Sequence, residues 1–481
     1  MDMQKTEILQ SYVQRNISLA PDLFRNYTSD AQGNVLFHRW AYYRLRKLVD
    51  DHIAKKGEDR WIVFSGLRGT GKTTLLAQMY FYLLEKRVPT RNVLYVSLDE
   101  VTGLLGSNLN DVISVYEGLL QSSLERLQED IFLLVDEAHY DRNWGITQKT
   151  VFDRTKRAFM ITTGSSALSL QTSSDAARRA RSEKLLPLNF PEYVMLKHRS
   201  TQTANLKQSV EKALFSSRDA AQAHSRISAL GADLSRYWST IKPYEIEKFL
   251  TVGSLPFSIA IENDNEVHRR VLSILAKVIN EDIPAFRPFE KETLGKIWNL
   301  LLLLSINEKI SYESLCSDLG LAKATLSDVL DILMKSEIIY PVRAYGSLAK
   351  GVRRAPKYKF VAPAIKASLL WRAGKLTRTP EIYGKLLEDA VASCLYRLRE
   401  TEGWPEFYHD PEKGGADFIL VLQDGSKLVL EVGYGHKTAA QIRKSAVKVA
   451  PRYSVMVSEN ELRLDRESNV LFIPKNVFLS M

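Results

Sequence analysis

The chain has 481 residues, 45% of them hydrophobic, and a net charge of +10 at pH 7. At ~150 residues per domain this gives about three globular domains, and the basic balance suits a nucleic-acid partner. Two distant cysteines, Cys316 and Cys394, exclude a disulfide framework or zinc cluster, no run of about eighteen apolar residues offers a membrane span, and the first residues lack an export signal. The expectation is a reduced, cytoplasmic protein with no membrane partner.

Residues 1–34 read as an N-terminal extension. Residues 35–49 carry apolar and aromatic positions at helical spacing, expected to pack beside the first strand. Their Arg, Tyr and Trp side chains could instead touch adenine, but packing is the favoured reading. Residues 60–65 are a short apolar run, and 74–84 are helical in pattern. Between them stands Gly-Leu-Arg-Gly-Thr-Gly-Lys-Thr-Thr, whose positions 66–73 fit G-x-x-x-x-G-K-[ST]. Gly66, Gly69 and Gly71, with Arg68 and Thr70 between them, let backbone N–H groups turn inward around phosphate oxygens. Thr74 continues the helix, whose N-terminus adds its positive dipole end. Lys72 is placed to reach the β- and γ-phosphates of ATP, and the Thr73 hydroxyl to bind Mg²⁺.

Residues 92–98 form another strand, ending in Asp99 and Glu100. Residues 131–137 are an apolar strand closing on Asp136 and Glu137, as a buried parallel strand does when its C-terminal end meets a ligand. Asp136 is placed to hold Mg²⁺, usually through water, and Glu137 to orient and polarise the attacking water. Together with the glycine loop this points to hydrolysis as well as binding. Residues 158–166 are a third strand of this kind. Its polar end should fall between the two motifs, where Ser165, or Thr163 or Ser166, would sense the γ-phosphate; a plain strand-ending turn is an equal alternative. Arg178, Arg179 and Arg181 then fall near the sheet's active end. One of them would serve as an arginine finger, in cis or from a neighbouring subunit, with at least two solvated.

Residues 187–288 read as a helical lid that closes over the nucleotide. From 289 to 378 the pattern is an apolar helix, a short helix from Ser311 to a stop at Gly320, a longer helix from 321, and two strands joined by a basic loop at 350–354. This is the plan of a winged helix. In a DNA-binding reading Lys323, Thr325 and Ser327 face the major groove, and Arg353 and Arg354 meet phosphates. Asp328 and Asp331 oppose close groove insertion, and domain packing or protein contact is the equal alternative. Within 379–481, Glu388 on a helix, Asp417 at a strand start and Glu431 on a paired strand follow the arrangement of metal-dependent nucleases. Gly433 stands where that arrangement has lysine, and Lys437 is a nearby substitute. An active nuclease, an inactive fold of that type and coincidence all stay open, the inactive fold being favoured.

This order of parts resembles the archaeal and bacterial AAA-type ATPases that join a nucleotide-binding core to a winged helix and a restriction-endonuclease-like C-terminal domain. The resemblance rests on the phosphate loop, Asp136 and Glu137, on residues 163–166 as a sensor-strand ending, and on 187–193. It extends to the 253–256 turn, to 281–283 and to 357–363, with Ala362 where aspartate is common. It implies an α/β fold: a P-loop NTPase core over 35–186, the lid over 187–288, the winged helix over 289–378 and the nuclease-like domain over 379–481. It also implies ATP hydrolysis with Mg²⁺, DNA-associated roles and Arg179 as the site-completing arginine, although Arg178 replaces the family's glycine. The resulting expectation is an Mg²⁺-dependent ATPase that remodels or clamps DNA as a homo-oligomer. The alternatives are an ATP-gated switch acting on a protein partner and an ATP-regulated nuclease.

Overall fold

Four short apolar strands and a polar edge strand organise the first half of the chain. In a computed structural model that describes residues 3–30, 32–164, 178–202, 205–307, 310–346, 354–434, 440–458 and 460–481, the chain divides into two units. One comprises 1–186 with 335–337, the other the rest of 187–481. In the first, β1 (Trp61–Ser65), β2 (Val93–Ser97), β3 (Ile131–Asp136), β4 (Ala158–Gly164) and β5 (Arg181–Lys184) pair in parallel, in the order β2-β3-β4-β1-β5. Successive side chains leave a strand on opposite faces. Trp61, Val63, Leu133 and Val135 accordingly enter one core cluster, and Ile62, Phe64, Phe132 and Leu134 the other. Both faces are buried, which is why these strands read as continuous apolar runs. Parallel pairing also brings every C-terminal strand end to one edge.

Residues 3–28 lie within the N-terminal extension read in the sequence. They form one helix, α1 (Met3–Thr28), with Leu9 and Val13 in the first cluster and Ala20 and Phe24 in the second. The helix therefore passes across the β2 edge of the sheet. There Tyr12 Oη accepts from Ser97 N–H at 3.2 Å and donates to Ser97 O at 3.4 Å, while Asn16 Nδ2 donates to Tyr95 O at 3.3 Å. These are the open ladder groups of an edge strand, and α1 covers them. The Phe24 ring lies 4.8 Å from Tyr95 and 5.0 Å from Tyr80. The 35–49 pattern becomes α2 (Trp40–Ile53), with Tyr42, Leu45 and Val49 in the second cluster.

The second unit begins with helices from Phe190–His198 to Ile283–Phe286. Three helices follow, Lys291–Ile306, Tyr312–Leu319 and Lys323–Lys335, then an antiparallel pair, β6 (Ile339–Val342) and β7 (Lys357–Phe360). The Ser311 side chain caps the middle helix by accepting from Ser314 N–H at 3.0 Å, and Gly320 ends it at φ +58°. The remaining strands are β8 (Glu406–Tyr408), β9 (Phe418–Val421), β10 (Lys427–Val432), β11 (Tyr453–Ser458), β12 (Arg463–Asp465) and β13 (Val470–Pro474). They form a mixed sheet in the order β12-β13-β11-β10-β9-β8. β8, β9 and β10 are an antiparallel meander, and β11 returns parallel to β10 after the helix Ala440–Val449.

Several short motifs meet in this unit. A Cβ on Gly253 would lie 2.6 Å from the Tyr193 ring, so only glycine fits there. Ser254 O accepts from Leu188 N–H at 2.9 Å, and Ser254 Oγ from Ala364 N–H at 3.1 Å. Among the described residues no helix is long and apolar enough to cross a membrane.

Because Phe24 is fully buried between Tyr80 and Tyr95, Phe24→Ala should cost about 3–5 kcal/mol of unfolding free energy. Denaturant titration checks this, and a loss below ~1 kcal/mol would mean that α1 is peripheral to the core.

Candidate active site

β1 ends at Ser65 and the chain turns directly into the glycine loop, which runs into α3 (Lys72–Glu85). Gly69 and Gly71 have φ of +86° and +91°, the left-handed region that favours glycine. Gly66 is required by space: a Cβ there would lie 2.6 Å from Leu185 O. Thr70 Oγ1 donates to Leu67 O at 2.9 Å, closing the loop on itself. Arg39, just before α2, donates to Thr70 O and to Leu186 O, both at 2.8 Å.

The two sequence motifs come together at the C-terminal edge of the sheet. Thr73 Oγ1 donates to Asp136 Oδ2 at 2.6 Å, linking the start of α3 to the end of β3. β4 lies between β1 and β3, and its Thr163 hydroxyl donates to Asp136 Oδ1. Tyr95 Oη, from β2, is 3.5 Å from Asp136 Oδ2. Lys72 Nζ donates to Gly66 O at 2.8 Å and to Leu67 O at 3.2 Å. Burial lowers the Lys72 pKa against the pull of Glu137 and Asp136. Burial, then Glu137, raises that of Asp136, opposed by the two threonine hydroxyls and Lys72. Each charge is thus withdrawn from water beside groups that favour it.

Glu137 directly follows Asp136 in a left-handed conformation, φ +50°. Such a conformation is uncommon for glutamate and often marks a functional turn. Its N–H donates to Asp136 Oδ1 at 3.0 Å, and its Oε2 lies 3.3 Å from His139 Nδ1. His139, Arg39 and Tyr95 were not singled out in the sequence. The signal for His139 was its place two residues after the acid pair; Arg39 and Tyr95 had none of that kind.

Hydroxyl and carboxylate oxygens are the hard donors that Mg²⁺ takes, and few are needed when phosphates and water supply the rest. Thr73 and Asp136 adjoin at 2.6 Å, so the donor set fits.

Other predicted residues lie elsewhere. Ser165 and Ser166 fall outside the described residues, as do Arg353 and Lys437. The arginines expected near the active end are a correction. Arg179 Nε pairs with Asp153 at 2.9 Å, in the last turn of the helix Trp144–Arg154 that leads into the start of β4. Arg181 sits beside Ile62 in register and pairs with Asp59 at 3.1 Å. Both therefore lie at the N-terminal edge of the sheet, away from the phosphate loop of their own chain. A basic side chain in an edge strand finds acids at the nearest chain ends, and the sequence pattern alone does not say which end. Arg178 is exposed.

In the second unit Asp417 and Glu431 are side by side, each bonded to the other strand's backbone. Asp417 N–H donates to Glu431 Oε2 at 3.0 Å, and Val432 N–H to Asp417 Oδ2 at 2.9 Å. Glu388 instead pairs with buried Lys359 at 2.8 Å, and its neighbour Asp389 with Lys359 at 3.0 Å and Lys366 at 3.4 Å. Among the described residues no group of three His, Cys, Asp or Glu side chains is placed to hold a metal. Lys323 and Arg354 are exposed and Thr325 half-buried. Lys323 pairs with Glu313 at 3.5 Å, and Asp328 with Arg287 at 2.6 Å.

Burial, reinforced by Lys72 and Arg68, pushes the His139 imidazole down to about 4, against Asp136 and Asp99. An unfolded histidine titrates near ~6.5. Between those values the unfolded chain binds a proton that the folded chain does not. The contribution of His139 is therefore complete above about pH 6.5 and is lost as pH falls toward 4. His139→Gln should shrink the drop in Tm across this window; an unaltered drop would contradict a buried neutral imidazole.

Residues 58–194 match a family model described as AAA domain, and 244–375 match a domain of unknown function, DUF8612. The chain is 35% identical to the Methanocaldococcus jannaschii protein MJ1637 over 98% of its own length and 94% of that protein's. It is 25% identical to a Haemophilus influenzae protein over 72% of its own length and 76% of that protein's. A solved structure of the Walker-type ATPase PABY2304 of Pyrococcus abyssi aligns with 71% of this chain and 97% of its own, at 13% identity and a TM-score of 0.40.

Proposed function

We propose that this chain, which belongs to the same family as the Methanocaldococcus jannaschii protein MJ1637, is an Mg²⁺-dependent ATPase whose turnover works on DNA. The observation that carries the nucleotide reading is the Thr73–Asp136 hydrogen bond of 2.6 Å, which joins the glycine loop to the acid strand. The AAA-domain match over 58–194 supports the same reading.

The residues divide the work by position. Backbone N–H groups of the loop and the α3 N-terminus hold phosphate oxygens. Lys72 Nζ exchanges its bonds to Gly66 O and Leu67 O for bonds to the β- and γ-phosphates. Thr73 and Asp136 would hold Mg²⁺, which neutralises charge gathering on the transferred phosphoryl group. Thr163 fixes one Asp136 oxygen and so its direction. Glu137, next along the chain, accepts a hydrogen bond from the attacking water and aims it in line. His139 borders Glu137 and narrows its freedom. Arg179, remote from its own phosphate loop, completes the site of a neighbouring copy, which makes the working form a homo-oligomer.

The DNA half rests on the +10 net charge and on the plan of three helices and a hairpin, which we take as a winged helix over 289–378. Lys323, Thr325, Arg353 and Arg354 are its contacts, and the helices of 187–288 act as the lid. A second reading has an observation of its own. Lys323 and Asp328 are already engaged in ion pairs, with Glu313 and Arg287. That pattern favours a winged helix facing a protein, with ATP as the gate. For 379–481 we propose a restriction-endonuclease-like fold without cleavage, because Glu388 is drawn to Lys359 and Gly433 supplies no lysine.

The test is ATP hydrolysis with single-stranded, duplex and branched DNA, run beside Glu137→Gln. Turnover should rise several-fold with at least one DNA, and Glu137→Gln should slow it about 10²-fold or more while still binding ATP. The DNA should stay unnicked with Mg²⁺ or Mn²⁺. Turnover that ignores all DNA, with nucleotide-dependent capture of a protein, would move the assignment to the switch.

A further inference from the structure

We infer that Arg39 is a positioning residue that carries the state of the phosphate loop to the point where the chain leaves the nucleotide-binding unit. This rests on the nucleotide reading above and goes beyond it. The Arg39 side chain is buried, with 8% of the residue exposed, and sits 31 positions before its loop partner. Nη1 donates to Thr70 O and Nη2 to Leu186 O, each at 2.8 Å. A guanidinium is planar and stays charged, so two carbonyls bound to its two terminal nitrogens are held at a set separation. One carbonyl is in the middle of the phosphate loop. The other belongs to the last residue of this unit before Pro187.

The Thr70 carbonyl and the Gly71 N–H share one planar peptide. When that N–H turns toward a phosphate, the carbonyl turns with it, and Arg39 is its partner. A second contact reaches the same junction without Arg39. Gly66 lies so close to Leu185 that a Cβ would meet Leu185 O at 2.6 Å, and Leu185 N–H donates to Ser65 O at 2.7 Å. Residues 185 and 186 are therefore fastened both to the start of the loop and to its middle. Leu188 N–H is in turn bonded to Ser254 O at 2.9 Å within its own unit.

Amide hydrogen exchange of the full chain, with and without Mg²⁺ and a non-hydrolysable ATP analogue, tests this. In the wild type the nucleotide should slow exchange in 66–74 and also in 183–190. Arg39→Lys keeps the charge but lacks the two-nitrogen fork. At saturating analogue it should retain protection of 66–74, while the response of 183–190 falls about fivefold or more. A purely structural role would weaken both segments together. A wild-type response confined to 66–74, or a 183–190 response unchanged in Arg39→Lys, overturns the inference even if the variant binds nucleotide normally. Absence of protection at 66–74 in the wild type overturns the nucleotide reading itself, and this coupling with it.

Discussion

The bond between Thr73 and Asp136 ties the site together. It joins a hydroxyl at the first turn of α3 to a carboxylate at the end of β3, two elements that are not sheet neighbours. It forms because a parallel sheet delivers all its C-terminal ends to one edge, and because β4 fills the gap between β1 and β3. A carboxylate buried there would be costly alone. Threonine hydroxyls from α3 and β4 compensate it, with Lys72 nearby. The same arrangement sets the direction of Asp136, and through the tight αL turn that follows, the placement of Glu137.

Support for that edge comes from places that look unrelated to it. α1 covers the outer edge of β2 and packs Phe24 on Tyr95, whose hydroxyl points to Asp136. Arg39 holds the back of the phosphate loop. The site is thus a property of the whole unit, and damage at the β2 edge should reach it without touching a phosphate.

The contiguous parts of this machinery were legible in the sequence. A glycine loop between an apolar run and a helix, and an apolar strand ending in two acids, are contiguous signals, and the structure brings them together at one sheet edge. The alternation of cores on either side of β1 and β3 was implied by their unbroken hydrophobicity. What escaped was long-range. Leu9, Val13, Ala20 and Phe24 keep helical spacing, but which sheet edge α1 covers is set by partners far along the chain. Arg39 pairs with backbone carbonyls, which leave no mark in a sequence. Arg179 and Arg181 follow a segment outside the described residues, and which sheet edge they reach depends on Asp153 and Asp59, not on their spacing. Glu388 looked like a third metal-binding acid until Lys359, 29 residues earlier, claimed it.

The central claim is that ATP and its metal are held together at this edge, each needing the other. Titrating ATP into the full chain by calorimetry, with Mg²⁺ and then with chelator, measures that directly. The account predicts Mg²⁺-dependent binding that weakens tenfold or more, about 1.4 kcal/mol or more, in both Lys72→Ala and Thr73→Val. Binding indifferent to Mg²⁺, or unchanged in Lys72→Ala, would contradict it.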